Sequence, residues 1–187
     1  KIAVLYQNDD YGKDYLKGFK DGLGDKAGMI VSEMPYETTD PTVDTQVVTL
    51  RSSGADLFFN VTTPKFAAQA IKKMAEIEWK PLHVLNNVPA SIGSVIKPAG
   101  FDNSQGIISA AYLKDVTDPE WKHDPGIKRF DEFLTKHFPE ANRIDAFVMY
   151  GYTVAQVMVQ TLKQAGDNLT RANVMKEAAN LKNLELD

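Results

Sequence analysis

A chain of 187 residues, 43% hydrophobic and 25% charged, can bury a substantial core, and its composition is that of an ordinary folded protein rather than a disordered one. Its formal net charge of −4, with basic residues dispersed along the chain, argues against nucleic acid or an anionic membrane surface as a partner. The lack of cysteine excludes disulfide frameworks, thiolate metal sites and cysteine nucleophiles, and is compatible with an oxidising compartment.

Apolar runs bounded by turn residues alternate with helical patterns, which is the signature of βαβ units. Strands are predicted at residues 2–6, 29–36, 57–61, 82–85 and 106–113, and helices at 11–25, 43–53, 64–78 and 91–97. Short strands rich in Val, Ile, Leu and Phe are those covered on both faces. The predicted fold is therefore α/β, a doubly wound three-layer αβα arrangement around a mostly parallel five-stranded sheet. Pro64 suits a first helical turn, where a missing N–H costs little. Phe66, Ala70, Ile71, Met74 and Ile77 then recur at helical spacing, leaving Lys72, Lys73 and Glu76 to solvent.

Beyond the fifth predicted strand, LKDVTDPEWKHDPG carries two Asp-Pro steps and marks a long surface excursion. A helix follows at 127–137, then an uncharged run at 146–162. A membrane span needs about 20 predominantly apolar residues. This run is shorter and holds Thr153, Gln156, Gln160 and two tyrosines, so it reads as a helix buried on several sides. A last helix, at 170–181, starts on a plausible N-cap, Thr170. Because the sequence opens inside a strand on Lys1 and stops on LKNLELD, it reads as a piece of something larger.

In an open parallel sheet, ligands bind beyond the carboxyl ends of the strands, which selects the loops at 7–11, 62–64, 86–91 and 112–115. Their contents are hydroxyls, amides and single aromatics, a recognition surface rather than a catalytic one. Asp9 and Asp10 stand where receiver domains hold magnesium, but such a site also needs an acid after the third strand, and FFNVTTP offers Asn60 there. Helix capping is the better role for an acid at this turn. GLGDKA matches a dinucleotide fingerprint only superficially, because it closes a helix instead of opening one, so its glycines read as a C-cap. His83, His123 and His137 lack metal-ligand spacing, and only His123 has an acid beside it, Asp124. Asn60 and Asn168 head glycosylation-type triplets of a kind common by chance. No catalytic residue, metal or cofactor is assigned.

The segments IAVLYQNDDYGKDYLKGFKDGL, ETTDPTVDTQVVTLRSSGADLFFN, TTPKFAAQAIKKMAE and IDAFVMYGYTVAQVMVQTLKQAG resemble the leucine/isoleucine/valine-type periplasmic solute-binding proteins of ABC importers, of the type I periplasmic-binding fold. The resemblance implies that this chain is about the second half of such a protein, whose two lobes close on a ligand. Residues 1–144 would be the C-terminal ligand-binding lobe, and 145–187 would be helices of the incomplete other lobe. It further implies pocket roles for Tyr11, Thr62, Thr63, Asn87 and Phe147. Asn87 falls where amino-acid binders place the carboxylate that pairs with the ligand ammonium, so an acid without an α-amino group becomes the favoured ligand, with a branched-chain-type amino acid as the other reading. A periplasmic or lipid-anchored extracellular location, a membrane permease as partner, and self-association of the fragment through its C-terminal helices are the remaining expectations. The rival reading is the ligand-sensing domain of a regulator or receptor on the same fold.

Overall fold

A computed structural model describes every residue from Lys1 to Asp187, and the chain forms two compact units, Lys1–Tyr112 and Leu113–Asp187. The first unit contains β1 (Ile2–Gln7), α1 (Asp10–Leu23), β2 (Ile30–Tyr36), α2 (Asp44–Ser52), β3 (Leu57–Val61), α3 (Pro64–Glu76) and β4 (Leu82–Leu85). The strands pair in parallel in the order β2-β1-β3-β4. Side chains alternate across a strand, and here both sets are apolar. Ile2, Val4 and Val61 pack with Leu16 of α1, while Ala3, Leu5 and Phe58 join Val47, Leu50, Phe66 and Ala70 of α2 and α3. Helices thus cover both faces of the sheet, the doubly wound arrangement.

Local chemistry explains the element ends. Asp9 caps α1, accepting from the Gly12 N–H at 3.1 Å, and Asp10 lies in the first turn, where the helix dipole favours an acid. Gly24 closes α1 at φ +52°, its N–H reaching the Lys20 and Asp21 carbonyls. Pro35 lies within β2, which the strand order places at an edge, where a missing donor is tolerated. The predicted helix at 91–97 is a π-helical turn, Ile92–Ile96, running into the short α4 (Lys97–Ala99).

The sheet has four strands rather than five. Of the expected fifth strand only a single parallel bridge survives, Val84 with Ile108, in which the Leu85 N–H donates to Ile108 O and the Ile108 N–H to His83 O. Ile107 packs on the cluster of Ala67, Ile71 and Leu85, but the residues after Ile108 are Ser109, Ala110 and Ala111, which bury too little apolar surface to hold an edge strand in register.

The second unit contains α5 (Pro125–His137), α6 (Ala146–Ala165) and α7 (Arg171–Ala179), with Phe130, Leu134 and Met149 at its core. Asp124 caps α5 through the N–H groups of Gly126 and Ile127 and pairs with Lys114 at 3.0 Å, so it is committed to those partners and does not orient His123. Those bonds, the Ile127 N–H foremost, hold its carboxyl below the usual range. Thr170 caps α7 through the Asn173 N–H, and Gly166 ends α6 at φ +58°. Asp187 accepts from the Tyr152 hydroxyl and the Gln156 amide and pairs with Arg129. Helix α6 buries Met149, Thr153, Thr161 and Ala165 and leaves Tyr150, Val154 and Met158 about half exposed. No helix is long and apolar enough to cross a membrane.

Candidate functional site

The chain leaves β1 for one edge of the sheet and returns to extend the other, so the strand order reverses between β1 and β3. At such a point the loops beyond the two carboxyl ends diverge and leave a crevice. The loop after β1 leads to Tyr11, the loop after β3 carries Thr62 and Thr63, and Asn86 and Asn87 follow β4.

The Tyr-Gly pair at the start of α1 has a steric cause. A Cβ on Gly12 would stand 2.0 Å from the Gln7 carbonyl oxygen, so only glycine lets the first turn of the helix abut the end of β1. This approach carries Tyr11 across the strand ends, where its hydroxyl lies 3.2 Å from the Thr62 carbonyl oxygen. With its amide turned so that Nδ2 donates to the carbonyls of Asn60 (3.1 Å) and Thr62 (3.3 Å), Asn86 presents Oδ1 to the Tyr11 hydroxyl. Burial pushes the Tyr11 phenol well above the ordinary tyrosine range, so it stays protonated and available as a donor. One turn further along α1, the Tyr15 hydroxyl donates to Asn87 Oδ1 at 2.5 Å, and the two tyrosine rings meet edge to face with centroids 5.2 Å apart.

A second network lies beneath. The Tyr36 hydroxyl donates to Gln7 Oε1 at 2.9 Å and accepts from the Thr63 N–H at 3.0 Å, and the Thr63 hydroxyl also reaches Gln7 Oε1. Gln7 in turn donates to Asp9 Oδ2 at 2.5 Å. Asp9 therefore has both oxygens engaged, and these bonds, the one from Gln7 foremost, hold its carboxyl below the usual range. Thr62 is fully buried, its hydroxyl donating to Asn60 Oδ1 at 2.7 Å, while Asn60 Nδ2 lies 3.2 Å from His83 Nε2. Burial lowers His83 to about 4, so the imidazole is neutral near pH 7 and its Nε2 accepts.

Of the residues singled out from sequence, Tyr11, Thr63 and Asn87 gather at the strand ends with part of their surface open. Thr62 joins them through its backbone carbonyl, while its hydroxyl points into the core network. Phe147 belongs to the second unit, in the first turn of α6, 43% exposed beside Phe133, Phe138 and Tyr152 in a hollow of about 450 Å³. Sequence reading passed over Tyr15 and Tyr36, and included Gln7 and Asn86 only as the first residues of the selected loops. The spacing of Tyr11 and Tyr15, four apart on one helix face, was the available signal.

A doubly wound sheet with donors and acceptors collected at its switch point places a polar crevice where folds of this kind bind ligands. The chain belongs to the periplasmic binding protein family, whose profile matches residues 1–186, and this is a solute-binding family. It is 25% identical over 166 residues to a Leu/Ile/Val-binding protein homolog 7 of Brucella abortus, a match covering 88% of this chain and 41% of that protein. Among solved structures it resembles a substrate-binding periplasmic protein from Ralstonia solanacearum (TM-score 0.86, 22% identity, 98% of this chain and 51% of that one). It also resembles a fatty acid ABC transporter substrate-binding protein from Thermomonospora curvata (TM-score 0.78, 26% identity, 98% of this chain and 46% of that one). The chain thus spans about half the length of the proteins it matches.

Proposed function

We propose that the chain is the C-terminal half of an extracytoplasmic substrate-binding component of an ABC importer. Residues 1–144 would form most of one lobe, and 145–187 would contribute helices to the other. The protein would bind a small organic solute by lobe closure, without turnover, and deliver it to a membrane permease. Tyr11, Thr63 and Asn87 would touch the solute from this lobe, and Phe147 would add an aromatic wall near the crossover. Thr62 would act through its carbonyl.

The solute class we favour is a carboxylic acid, aliphatic or aromatic, without an α-amino group. The observation that carries this reading is Asn87: in the crevice after β4 an uncharged amide stands where a counter-charge for an ammonium would be needed. A buried ammonium left without a counter-charge costs several kcal/mol, on the scale of a weak binding energy. The fatty acid binding attributed to the Thermomonospora curvata relative is consistent with such a ligand, whereas the Brucella abortus relative is named for branched-chain amino acids. Calorimetric titration of the two-lobed protein with 3-phenylpropanoate and with L-phenylalanine separates the two. Tighter binding of the amine-free acid is expected, and tighter binding of the amino acid would overturn the assignment.

A further inference from the structure

Two phenols one helical turn apart on α1 reach two consecutive asparagines after β4, and the two contacts have different outcomes. Asn86 is buried, accepts from Tyr11, and spends its amide nitrogen on the carbonyls of Asn60 and Thr62. Asn87 is half-buried and accepts from Tyr15 at 2.5 Å, but its amide nitrogen makes no hydrogen bond within the protein and is not sealed from solvent. It is the oxygen end of the Asn87 amide that faces the phenol. A carboxamide has one acceptor end and one donor end, and fixing the first aims the second.

Building on the carboxylate reading above, we propose that Tyr15 is a positioning residue that sets ligand polarity: by holding Asn87 Oδ1, it makes Asn87 a donor towards the crevice and selects ligands that present an acceptor such as a carboxylate. An untethered asparagine would turn over and serve a carboxylate or an ammonium equally. The packing of the Tyr15 ring on Tyr11 keeps the phenol aimed, because the edge-to-face contact restricts where its hydroxyl can swing. Tyr15 thereby acts on the ligand without touching it.

The test uses Tyr15→Phe in the full-length protein that carries this chain, since this change removes the hydroxyl and keeps the ring. Binding of 3-phenylpropanoate is compared with that of 2-phenylethylamine, the same skeleton ending in an ammonium. The wild type is expected to prefer the carboxylate, and Tyr15→Phe to shrink that preference by about fivefold to tenfold, the worth of one hydrogen bond. A purely structural role would weaken both probes together and leave their ratio unchanged, which would overturn the inference while leaving the carboxylate reading in place. If neither probe binds, that reading falls, and the inference is decided by the ligand-free protein. The side-chain NH₂ resonances of Asn87, identified by their loss in Asn87→Asp, should shift in Tyr15→Phe. Resonances that ignore the substitution would refute the tether.

Discussion

Replacing Gly12 by alanine should separate α1 from the end of β1. The new Cβ would lie 2.0 Å from the Gln7 carbonyl oxygen and 2.7 Å from the Gln7 nitrogen, both backbone atoms of a strand paired on two sides. An ordinary contact begins near 3.4 Å, so the first turn must retreat by roughly 1.4 Å. That movement stretches the 3.1 Å cap bond from the Gly12 N–H to Asp9 and draws Tyr11 off the Thr62 carbonyl. Overpacking costs about 1–3 kcal/mol and a lost cap about 1 kcal/mol, offset by about 1 kcal/mol of better helix propensity, for a net loss of about 1–3 kcal/mol. Gly18→Ala on the same helix is the control, because a Cβ there meets nothing within 4 Å and should stabilise the chain by about 1 kcal/mol. Urea unfolding of the two variants should therefore shift the midpoint in opposite directions. A Gly12→Ala variant as stable as Gly18→Ala would show that the helix start is not set by this contact.

Asp9→Ala should cost about 1 kcal/mol at pH 7 through the lost cap. Because the folded carboxyl is held below its unfolded value, that contribution is complete above about pH 4 and is lost as pH falls through the folded pKa, so the gap between wild type and variant should close in acid. The His83 imidazole behaves with the same sign for a different reason: the unfolded chain takes up the proton near pH 6.5 and the buried ring only at about 4. The fold should therefore lose up to about 3 kcal/mol between those limits, and His83→Gln, which keeps an acceptor for Asn60, should flatten the profile in denaturant titrations at each pH. The 187-residue chain should sediment as dimers or larger species through the uncharged face of α6, and Met158→Lys, on a residue 50% exposed, should shift it towards monomer; a wild-type chain that stays monomeric at high concentration would remove the basis for this expectation.

The four strands and the helices between them were legible because each element is short, apolar on its buried face and bounded by a breaker or a cap: Asp9 and Gly24 around α1, Pro64 at the head of α3. The fifth strand was misread because Gly106 to Leu113 has β-compatible residues towards both ends but Ser109, Ala110 and Ala111 between them, and a strand is decided by what its neighbours can bury against it. The strand order could not be read locally, since it depends on pairings between residues tens of positions apart, and the switch point follows from the order. The same distance hid Tyr15, whose partner Asn87 lies 72 residues away. Thr62 and Thr63 looked equivalent as neighbouring hydroxyls. The two-residue period of β3 separates them, continuing one step past the strand to turn Thr62 inward to Asn60.

Pro35 has a consequence for how copies of this chain meet one another. The Tyr36 carbonyl is turned towards β1, where it accepts from the Asn8 N–H at 2.8 Å. The backbone groups of successive strand residues point to opposite sides, so the ring nitrogen of Pro35 lies on the outer margin of the sheet, where a donor would otherwise stand. A strand from another molecule that began to zip along β2 would meet a gap in the ladder there, and the pyrrolidine ring would hold it away. At the opposite margin β4 offers only four residues, one of them already bridged to Ile108. The sheet is thus guarded at both borders against growth into a cross-molecular ribbon, by an interrupted ladder on one side and brevity on the other.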